Sequence, residues 1–322
     1  MNIKAYIDRI DLRRFRFWLQ LASFVLLVYG GWLAMDLGHS LPTFSCGYNK
    51  KGLAGVCYLL PLQHQLAEPW SQLFSPAGLG VLGGFALFLL WFVVLNKAWC
   101  GFICPLGTIQ DWITSLRKML GIRYSTYSDE QFKKLSLIKY VLLLALIFMP
   151  LAIGGQLLSH DWATPYCQIC PARMIIPVFN GDFSQWMVDF SSTGKMVLTA
   201  LGMFITGLFL IGSFLKKRFF CFFCPMGAFH YIFSKLSLFK LKKEGSKCTV
   251  CGDCYRVCDL QIKPIADNVV KKDILMDDCI LCLKCVAACP EQGALRVELL
   301  GKTVFESTKD GFVKRMGLEK KE

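Results

Sequence analysis

Charged residues are scarce in this chain of 322 residues. They make up 18% of the sequence, whereas hydrophobic residues make up 54%. Because soluble domains carry charges at about a quarter of their positions, this composition argues against a soluble enzyme and favours a membrane protein. Histidine is also rare, with four in the whole chain. The sequence offers no recognisable nucleophile, acid–base pair or nucleotide-binding loop.

Basic residues outnumber acidic ones and give a formal net charge of +13. They flank apolar segments, where anionic lipid and membrane topology explain them without nucleic acid. Four apolar stretches are long enough to cross a bilayer, approximately residues 17–35, 78–95, 137–156 and 196–215. The basic residues cluster before the first stretch and after the second and fourth. We therefore expect a multi-pass protein of a bacterial or archaeal cytoplasmic membrane, with a retained first span and both termini cytoplasmic.

Glycines at the start of the second stretch match a dinucleotide-binding fingerprint by letter, from Gly78 to Gly83. That motif requires a preceding strand, whereas here it opens a predicted transmembrane helix. Close packing between helices is the better interpretation of these small residues.

An internal repeat relates the two halves of the membrane region. Residues 39–46 align without a gap on residues 160–167, and the same shift of 121 residues places Cys100 on Cys221. One gapped residue later, Cys104 and its following proline match Cys224 and its proline. The sequence therefore predicts two parallel repeats, about 1–121 and 122–244, packed around a pseudo-twofold axis along the membrane normal.

Such an axis would bring two pairs of cysteines together at each membrane face. The inner-face group is Cys100, Cys104, Cys221 and Cys224, and the outer-face group is Cys46, Cys57, Cys167 and Cys170. Four thiolates are the number that an iron–sulfur cluster needs. For the outer group, disulfides in an oxidising compartment are the alternative. Apolar pieces at 56–62 and 174–179 are interpreted as re-entrant half-helices beside these cysteines. Two sites on opposite faces would have to lie deep, or use an intermediate carrier, to exchange electrons.

The C-terminal region contains the most specific motif of the chain. Two copies of C-x2-C-x2-C-x3-C follow residue 247, and in such a pair the fourth cysteine of each run ligates the other cluster. Cluster 1 would take Cys248, Cys251, Cys254 and Cys289, and cluster 2 would take Cys279, Cys282, Cys285 and Cys258. Zinc knuckles and disulfides are disfavoured by the doubled triplet and the cytoplasmic location.

These motifs predict the fold class and the domains. We expect an α-helical membrane protein with four transmembrane helices in two parallel repeats over residues 1–244. A cytoplasmic α+β ferredoxin domain with two 4Fe-4S clusters follows at 245–300, and a charged tail at 301–322.

Two histidines are related by the repeat, His39 and His160. Haem axial ligation, support of an outer cluster and proton acceptance from a quinol are the functional roles considered. A hydrated histidine at the membrane interface is the simpler interpretation. His64 and His230 have no repeat partner and receive no predicted role.

The chain resembles the polyferredoxin family that includes NapH-type quinol dehydrogenase subunits, NosR-type proteins and CcoG-type oxidase assembly factors. The resemblance rests on the cysteine–proline pairs at Cys104 and Cys224 and on the eight cysteines of the C-terminal region. The family has two C-x3-C-P motifs, whereas the second motif here is C-x2-C-P. The outer cysteines are not part of the family pattern.

The resemblance and the motifs together imply electron transfer. We expect an electron-transfer subunit that passes electrons between a cytoplasmic donor or quinone pool and an extracytoplasmic redox partner across the membrane. The alternatives are a quinol dehydrogenase subunit without transmembrane passage and a reductase that assists the assembly of another metalloenzyme. The expected cofactors are 4Fe-4S clusters, with a quinone or a haem as further candidates.

Overall fold

The computed structural model describes residues 11–30, 57–274 and 278–309. In chain order the α-helices are α1 (Leu12–Tyr29), α2 (Leu59–Ala67), α3 (Trp70–Leu73), α4 (Pro76–Val94), α5 (Pro105–Met119), α6 (Asp129–Ser136), α7 (Ile138–Gly154), α8 (Pro165–Ile169), α9 (Pro171–Val178), α10 (Thr193–Leu215), α11 (Pro225–Ile232), α12 (Asp253–Arg256), α13 (Pro264–Asp267) and α14 (Lys284–Ala288). The strands are β1 (Phe239–Lys243), β2 (Leu295–Leu299) and β3 (Lys302–Glu306).

Three helices in the described part of the chain are long and apolar enough to cross a membrane. They are Pro76–Val94, the helical stretch Glu130–Gly154 that contains α7, and Thr193–Leu215. They coincide with the second, third and fourth predicted spans. The first predicted span begins in α1, which carries three arginines near its start, and continues from residue 31 outside the described residues. The number of spans predicted from the sequence, four, is therefore not established by these helices.

Polar caps explain where the membrane helices begin. Ser75 accepts a hydrogen bond from the backbone N–H of Gly78, and Pro76 occupies the first helical position of α4. Ser192 caps α10 in the same way, through the backbone N–H of Lys195. Serine caps satisfy N–H groups that a helix cannot pair internally, and proline at this position loses no hydrogen bond.

The glycines of α4 do not pack as expected from the sequence. A Cβ atom placed at Gly84 would meet the Tyr58 hydroxyl, but Cβ atoms at Gly80 and Gly83 would meet nothing within 4 Å. The two latter glycines therefore lie on an open face of α4 rather than in a close helix contact. The helix itself agrees with the rejection of a dinucleotide-binding loop, because no strand precedes it among the described residues.

The C-terminal unit is built on a three-stranded antiparallel sheet with the order β1-β2-β3. Its first strand pairs Phe239 with Leu299 and Lys243 with Leu295. The predicted domain start at residue 245 is therefore too late, since β1 already belongs to this sheet. The predicted end at residue 300 is too early, because β3 extends the sheet to Glu306.

One apolar core joins the C-terminal unit to the membrane region. Leu241, Ile274 and Val286 are buried in this core, and Phe222, which lies between the two cysteines of the second membrane motif, is buried with them. The backbone N–H of Leu238 also donates to the carbonyl of Val93 at the end of α4. The C-terminal unit is thus packed directly onto the ends of the membrane helices.

Candidate metal centres

Eight C-terminal cysteines line two separate cavities. One is lined by Cys258, Cys279, Cys282 and Cys285, and the other is lined by Cys248, Cys251, Cys254 and Cys289. Each group combines the three closely spaced cysteines of one run with the last cysteine of the other run. The spacing of the sequence predicts the same two groups.

The loops that present these cysteines have the same unusual backbone in both copies. Val250 and Gly252, which flank Cys251, have φ angles of 53° and 79°. Leu281 and Leu283, which flank Cys282, have φ angles of 48° and 60°. Left-handed conformations of residues other than glycine are uncommon and are held by their surroundings. In both loops they turn the backbone around the middle cysteine, so that the three thiols of a run face one cavity.

Burial disfavours the charged form of these thiols. It raises the pKa of Cys254 and of Cys279 to about 11 and the pKa of Cys258 to about 12. Without a bound cation they are therefore neutral near pH 7. Metal ligation requires thiolates, and a cluster that binds four of them would supply the missing positive charge.

The geometry of the cysteine groups fits a cluster better than a single ion. Among the residues that the structure describes, no three Cys, His, Asp or Glu side chains converge on a position for one metal ion. The cysteines instead surround cavities from several sides. Tetrahedral zinc needs its sulfurs within about 2.3 Å of one point, whereas an iron–sulfur cluster occupies a larger volume.

The membrane cysteines Cys104, Cys170 and Cys224 occupy equivalent positions. Each is the N-cap of a short or medium helix whose first residue is proline, namely α5, α9 and α11. Their ψ angles are 120°, 126° and 117°. Backbone N–H groups of the first turn face the sulfur, as those of Leu106 and Gly107 do at Cys104. The Cys-Pro sequence therefore points each thiol along the positive end of a helix.

The two membrane motifs differ by one residue, and the structure absorbs the difference in a turn. The longer motif forms a five-residue π-helical turn, Trp99–Ile103, before Cys104. The shorter one forms a tighter 3-10 turn, Phe219–Phe222, before Cys224. Both turns deliver the second cysteine to the N-cap of the next helix. The departure from C-x3-C-P thus changes the turn and keeps the position of the cysteine.

The membrane cysteines gather around one deep region. Cys100 lies near Cys104, Cys221 and Cys224, and Cys167 lies near Cys57 and Cys170. These two groups also lie near each other, through Cys104 with Cys57 and through Cys170 with Cys104. Cys46 lies outside the described residues.

A cavity of about 430 Å³ contains sulfurs from both groups. It is lined by Cys57, Cys100, Cys104, Cys167, Cys170 and Cys224. Described cysteines from both predicted groups thus line one shared cavity, and the placement of the two groups at opposite membrane faces stays a prediction. The short helices after Cys57 and Cys170, which occupy the regions predicted as half-helices, carry the outer group inward toward Cys104.

A buried ion network supports this region, and no motif in the sequence predicts it. The Asp111 carboxylate accepts hydrogen bonds from Arg218 Nη2 at 2.6 Å and from Arg16 Nη2 at 3.0 Å. Gln20 donates to the same carboxylate at 2.9 Å. Burial alone would raise the pKa of Asp111, but the two guanidinium groups outweigh it and hold this pKa well below its usual range.

The three described histidines, His64, His160 and His230, all line the large cavity. His160 Nε2 lies 4.0 Å from the Glu68 carboxylate. His64, to which no role was assigned, is therefore a residue that sequence reasoning missed. His230 is buried against the ring of Phe92, with a centroid distance of 4.3 Å. His39 lies outside the described residues, so the predicted pairing of His39 with His160 stays a prediction.

Membrane cysteines and C-terminal cysteines meet at a tight backbone contact. A Cβ atom at Gly101 would lie 2.4 Å from the Ile280 carbonyl oxygen and 3.2 Å from the Cα of Cys282. Gly101 follows Cys100 directly, and Ile280 follows Cys279. Next to this contact, Lys139 at the start of α7 forms a buried ion pair with Asp278 at 2.5 Å. The two cysteine-bearing loops therefore touch backbone to backbone.

Comparison with known proteins identifies the cysteine regions. The 4Fe-4S binding domain family matches twice, at residues 77–123 and 198–244, and the first residues of the two matches differ by the same 121 positions as the cysteine motifs. The 4Fe-4S dicluster domain family matches residues 240–290. No solved structure matches the chain.

Several curated proteins are similar to the chain. The ferredoxin-type protein NapH of Haemophilus influenzae is 29% identical, over 87% of this chain and 88% of the relative. The methylamine utilization ferredoxin-type protein MauN of Methylorubrum extorquens is 28% identical, over 60% of each chain. The regulatory protein NosR of Pseudomonas aeruginosa is 26% identical, over 74% of this chain and 30% of the relative.

Proposed function

We propose that this chain passes single electrons between its C-terminal ferredoxin unit and a redox partner on the other side of the membrane. The chain belongs to the NapH/NosR-type family of membrane polyferredoxins. The family and the 4Fe-4S domains identify an iron–sulfur electron-transfer protein of a redox complex. The direction of flow, the passage across the bilayer and the partners are the proposal. The partners would be a cytoplasmic donor or quinone and an extracytoplasmic cytochrome or reductase, with both termini in the cytoplasm.

The proposed ligands are the cysteine groups described above. Two groups of the C-terminal unit and the group Cys100, Cys104, Cys221 and Cys224 would each hold one 4Fe-4S cluster, and Cys57, Cys167 and Cys170 would hold a fourth together with Cys46. A 4Fe-4S cluster supplies one-electron chemistry when it is bound. The protein supplies the thiolates, a largely apolar setting and fixed positions for these groups.

The contact between Gly101 and the loop Ile280–Cys282 carries this proposal. It leaves no side chain between the backbone next to Cys100 and the backbone next to Cys279. Electron tunnelling weakens steeply with distance, so a side chain of ordinary size at this contact would slow transfer. The glycine brings two cysteine groups as close as two backbones can pack.

The large cavity supports continuation of the path away from the C-terminal unit. Helix α7 begins beside that unit at the Lys139–Asp278 pair and has 17 residues, a length of about 25 Å. His160 follows its far end, and His160 and Cys100 line the same cavity. The cavity thus extends through much of the span length, and the cysteines along it supply intermediate positions for electrons.

A second candidate function is quinol oxidation without passage across the bilayer. The cavity favours it, because His64, His160 and Asp161 line it together with the membrane cysteines. Histidine accepts protons near neutral pH, and quinol oxidation releases protons together with electrons. Under this alternative the electrons leave through the C-terminal unit, and no extracytoplasmic acceptor is needed.

The test is a count of iron and sulfide in anaerobically purified full-length protein and in two variants. About 16 irons per chain are expected for four clusters with four irons each. Cys104→Ser should lose about four irons and keep the C-terminal clusters, whereas Cys285→Ser should lose C-terminal clusters and keep the membrane ones. Iron that is unchanged by Cys104→Ser would overturn the membrane site.

Reduction from one side of sealed vesicles separates the two candidate functions. Vesicles of known orientation that contain the protein and no quinone are given a membrane-impermeant reductant outside and an impermeant oxidised acceptor inside. Reduction of the inner acceptor supports transmembrane transfer. An inner acceptor that stays oxidised, together with reduction of the C-terminal clusters by an added quinol, supports the quinol function instead.

A further inference from the structure

Two buried basic residues occupy the same position in the two repeats. Lys97 lies three residues before Cys100, and Arg218 lies three residues before Cys221, so the shift of 121 residues relates them. Each is 1% exposed. Lysine and arginine are almost never fully buried without an anionic or polar partner. Their shared place beside the first cysteine of each motif indicates a common role.

Each of these cations also contacts a helix of the other repeat. In both cases it is the helix that follows the cysteine–proline pair of that repeat. Arg218 binds Asp111, through Nε to one oxygen at 2.9 Å and through Nη2 to the other. Lys97 Nζ lies 5.0 Å from the centre of the Tyr231 ring. Asp111 is the seventh residue after Cys104, and Tyr231 is the seventh after Cys224. The contacts are therefore reciprocal between the repeats, with a carboxylate on one side and an aromatic face on the other.

Both residues hydrogen-bond the backbone of the first membrane cysteine motif. Arg218 Nη1 donates to the carbonyl oxygen of Cys100 at 3.1 Å. The carbonyl oxygen of Lys97 accepts a hydrogen bond from the backbone N–H of Gly101. The positive charge of the Lys97 side chain acts on Cys100 and on Cys279 of the C-terminal unit. Lys97 thus lies where the membrane group and the C-terminal group meet at the Gly101 contact.

The arginine network carries more positive than negative charge among the described residues. Arg16 and Arg218 share the carboxylate of Asp111, so these three side chains together keep one positive charge in excess. Burying a cation is costly unless an opposite charge compensates it. Four thiolates around an iron–sulfur core form an anion, and that anion becomes more negative when it accepts an electron.

We propose that Lys97 and Arg218 are a repeat-related pair of positioning residues that stabilise the reduced, more negative form of the centre held by Cys100, Cys104, Cys221 and Cys224 and so raise its reduction potential. The inference rests on the proposed function, because it needs a redox centre at these cysteines. Arg218 additionally fixes the backbone of Cys100. Lys97 acts on the neighbouring C-terminal centre as well.

The experiment is a potentiometric titration of the full-length protein, followed by electron paramagnetic resonance. The signal of the membrane centre is assigned by its loss in Cys104→Ser. Lys97→Met removes one buried positive charge and should lower the reduction potential of this centre. At a fixed applied potential, the ratio of reduced to oxidised centre should fall about tenfold, which corresponds to a shift of about 59 mV for one electron. Asp111→Asn removes the negative charge beside Arg218 and should raise the same potential.

Controls separate charge from damage to the fold. Lys97→Arg keeps the charge and should restore a potential close to that of the parent protein. Lys134→Met removes an exposed cation whose partner is Glu130 and should leave every potential unchanged. Lys97→Met should also lower the potential of the centre at Cys279, whereas Asp111→Asn should act mainly on the membrane centre.

The outcomes distinguish this inference from the proposed function. An unchanged potential in Lys97→Met, or shifts of the same sign in Lys97→Met and Asp111→Asn, would overturn the inference while the redox centre stands. The absence of any signal that depends on Cys104 in the parent protein would overturn the proposed function itself.

Discussion

Gly107 lies directly against the guanidinium of Arg218. A Cβ atom at residue 107 would be 2.2 Å from Arg218 Nη1 and 3.3 Å from the Cys100 carbonyl oxygen. The glycine of the first Cys-Pro-Leu-Gly sequence therefore leaves room for the arginine that binds Asp111 and Cys100. Its repeat partner, Gly227, has its nearest neighbour at 3.7 Å, the Cys221 carbonyl oxygen, which is an ordinary contact.

This difference gives a matched pair of substitutions. Gly107→Ala should displace Arg218, destabilise the protein by about 1–3 kcal/mol as overpacking does, and lower the iron bound at the membrane cysteines. Gly227→Ala should be neutral or stabilising by up to about 1 kcal/mol, because alanine favours a helix. Thermal unfolding and iron content measure both effects. Equal behaviour of the two variants would contradict the assigned role of Gly107.

Gly101→Ala tests the contact between the membrane region and the C-terminal unit. The new methyl group would meet the Ile280 carbonyl, which is backbone and cannot rotate away. We expect iron content to be kept and electron transfer between the two regions to slow by about tenfold or more, as seen by rapid-freeze spectroscopy after reduction of the C-terminal clusters. Gly83→Ala, at a glycine with no neighbour within 4 Å, is the control. A transfer rate equal to that of the control would refute the contact.

The buried pair of Lys139 and Asp278 should contribute strongly to docking. Its side chains are 1% and 6% exposed, and removing one partner of a buried ion pair costs about 3–5 kcal/mol. Asp278→Asn should therefore lower stability and increase hydrogen exchange in β1 and α14. The exposed pair of Lys134 and Glu130 offers the comparison, since Glu130→Gln should change stability by less than about 0.5 kcal/mol. Similar losses in the two variants would argue against a special role for Lys139.

Cys170→Ser tests the second group of membrane cysteines. If Cys57, Cys167 and Cys170 hold a cluster, this variant should lose about four irons and keep the centre that depends on Cys104. Mass spectrometry of the alkylated parent protein provides the opposing outcome. A disulfide between Cys167 and Cys170, with iron near 12 per chain, would mean that this group is structural.

The local parts of the site could be predicted from the sequence, and the parts formed by packing could not. Cysteines two and three residues apart in the C-terminal runs share a cavity because the chain between them is too short for any other arrangement. The depth of Cys57, Cys167 and Cys170 depends on how α2 and α9 fold back toward Cys104, and no spacing in the sequence contains that information.

Basic residues show the same limit in a different way. A count of positive charges near apolar spans treats every lysine and arginine as facing lipid headgroups or water. In the structure, four residues from that count are buried, namely Arg16, Lys97, Arg117 and Arg218. Lys97 and Arg218 are related by the repeat, each three residues before the first cysteine of its motif, but only their burial identifies them as part of the site.

The short connection between the membrane region and the C-terminal sheet has a mechanical consequence. Leu238 hydrogen-bonds the carbonyl of Val93 in α4, and the N–H of Leu300 at the end of β2 donates to Leu238. These hydrogen bonds and the shared apolar core hold the described part of the C-terminal unit against the membrane region, so we expect this unit not to swing between a donor and the membrane as a tethered shuttle does. Internal electron flow should therefore be independent of solvent viscosity, and any partner must bring its own redox group to a stationary landing site.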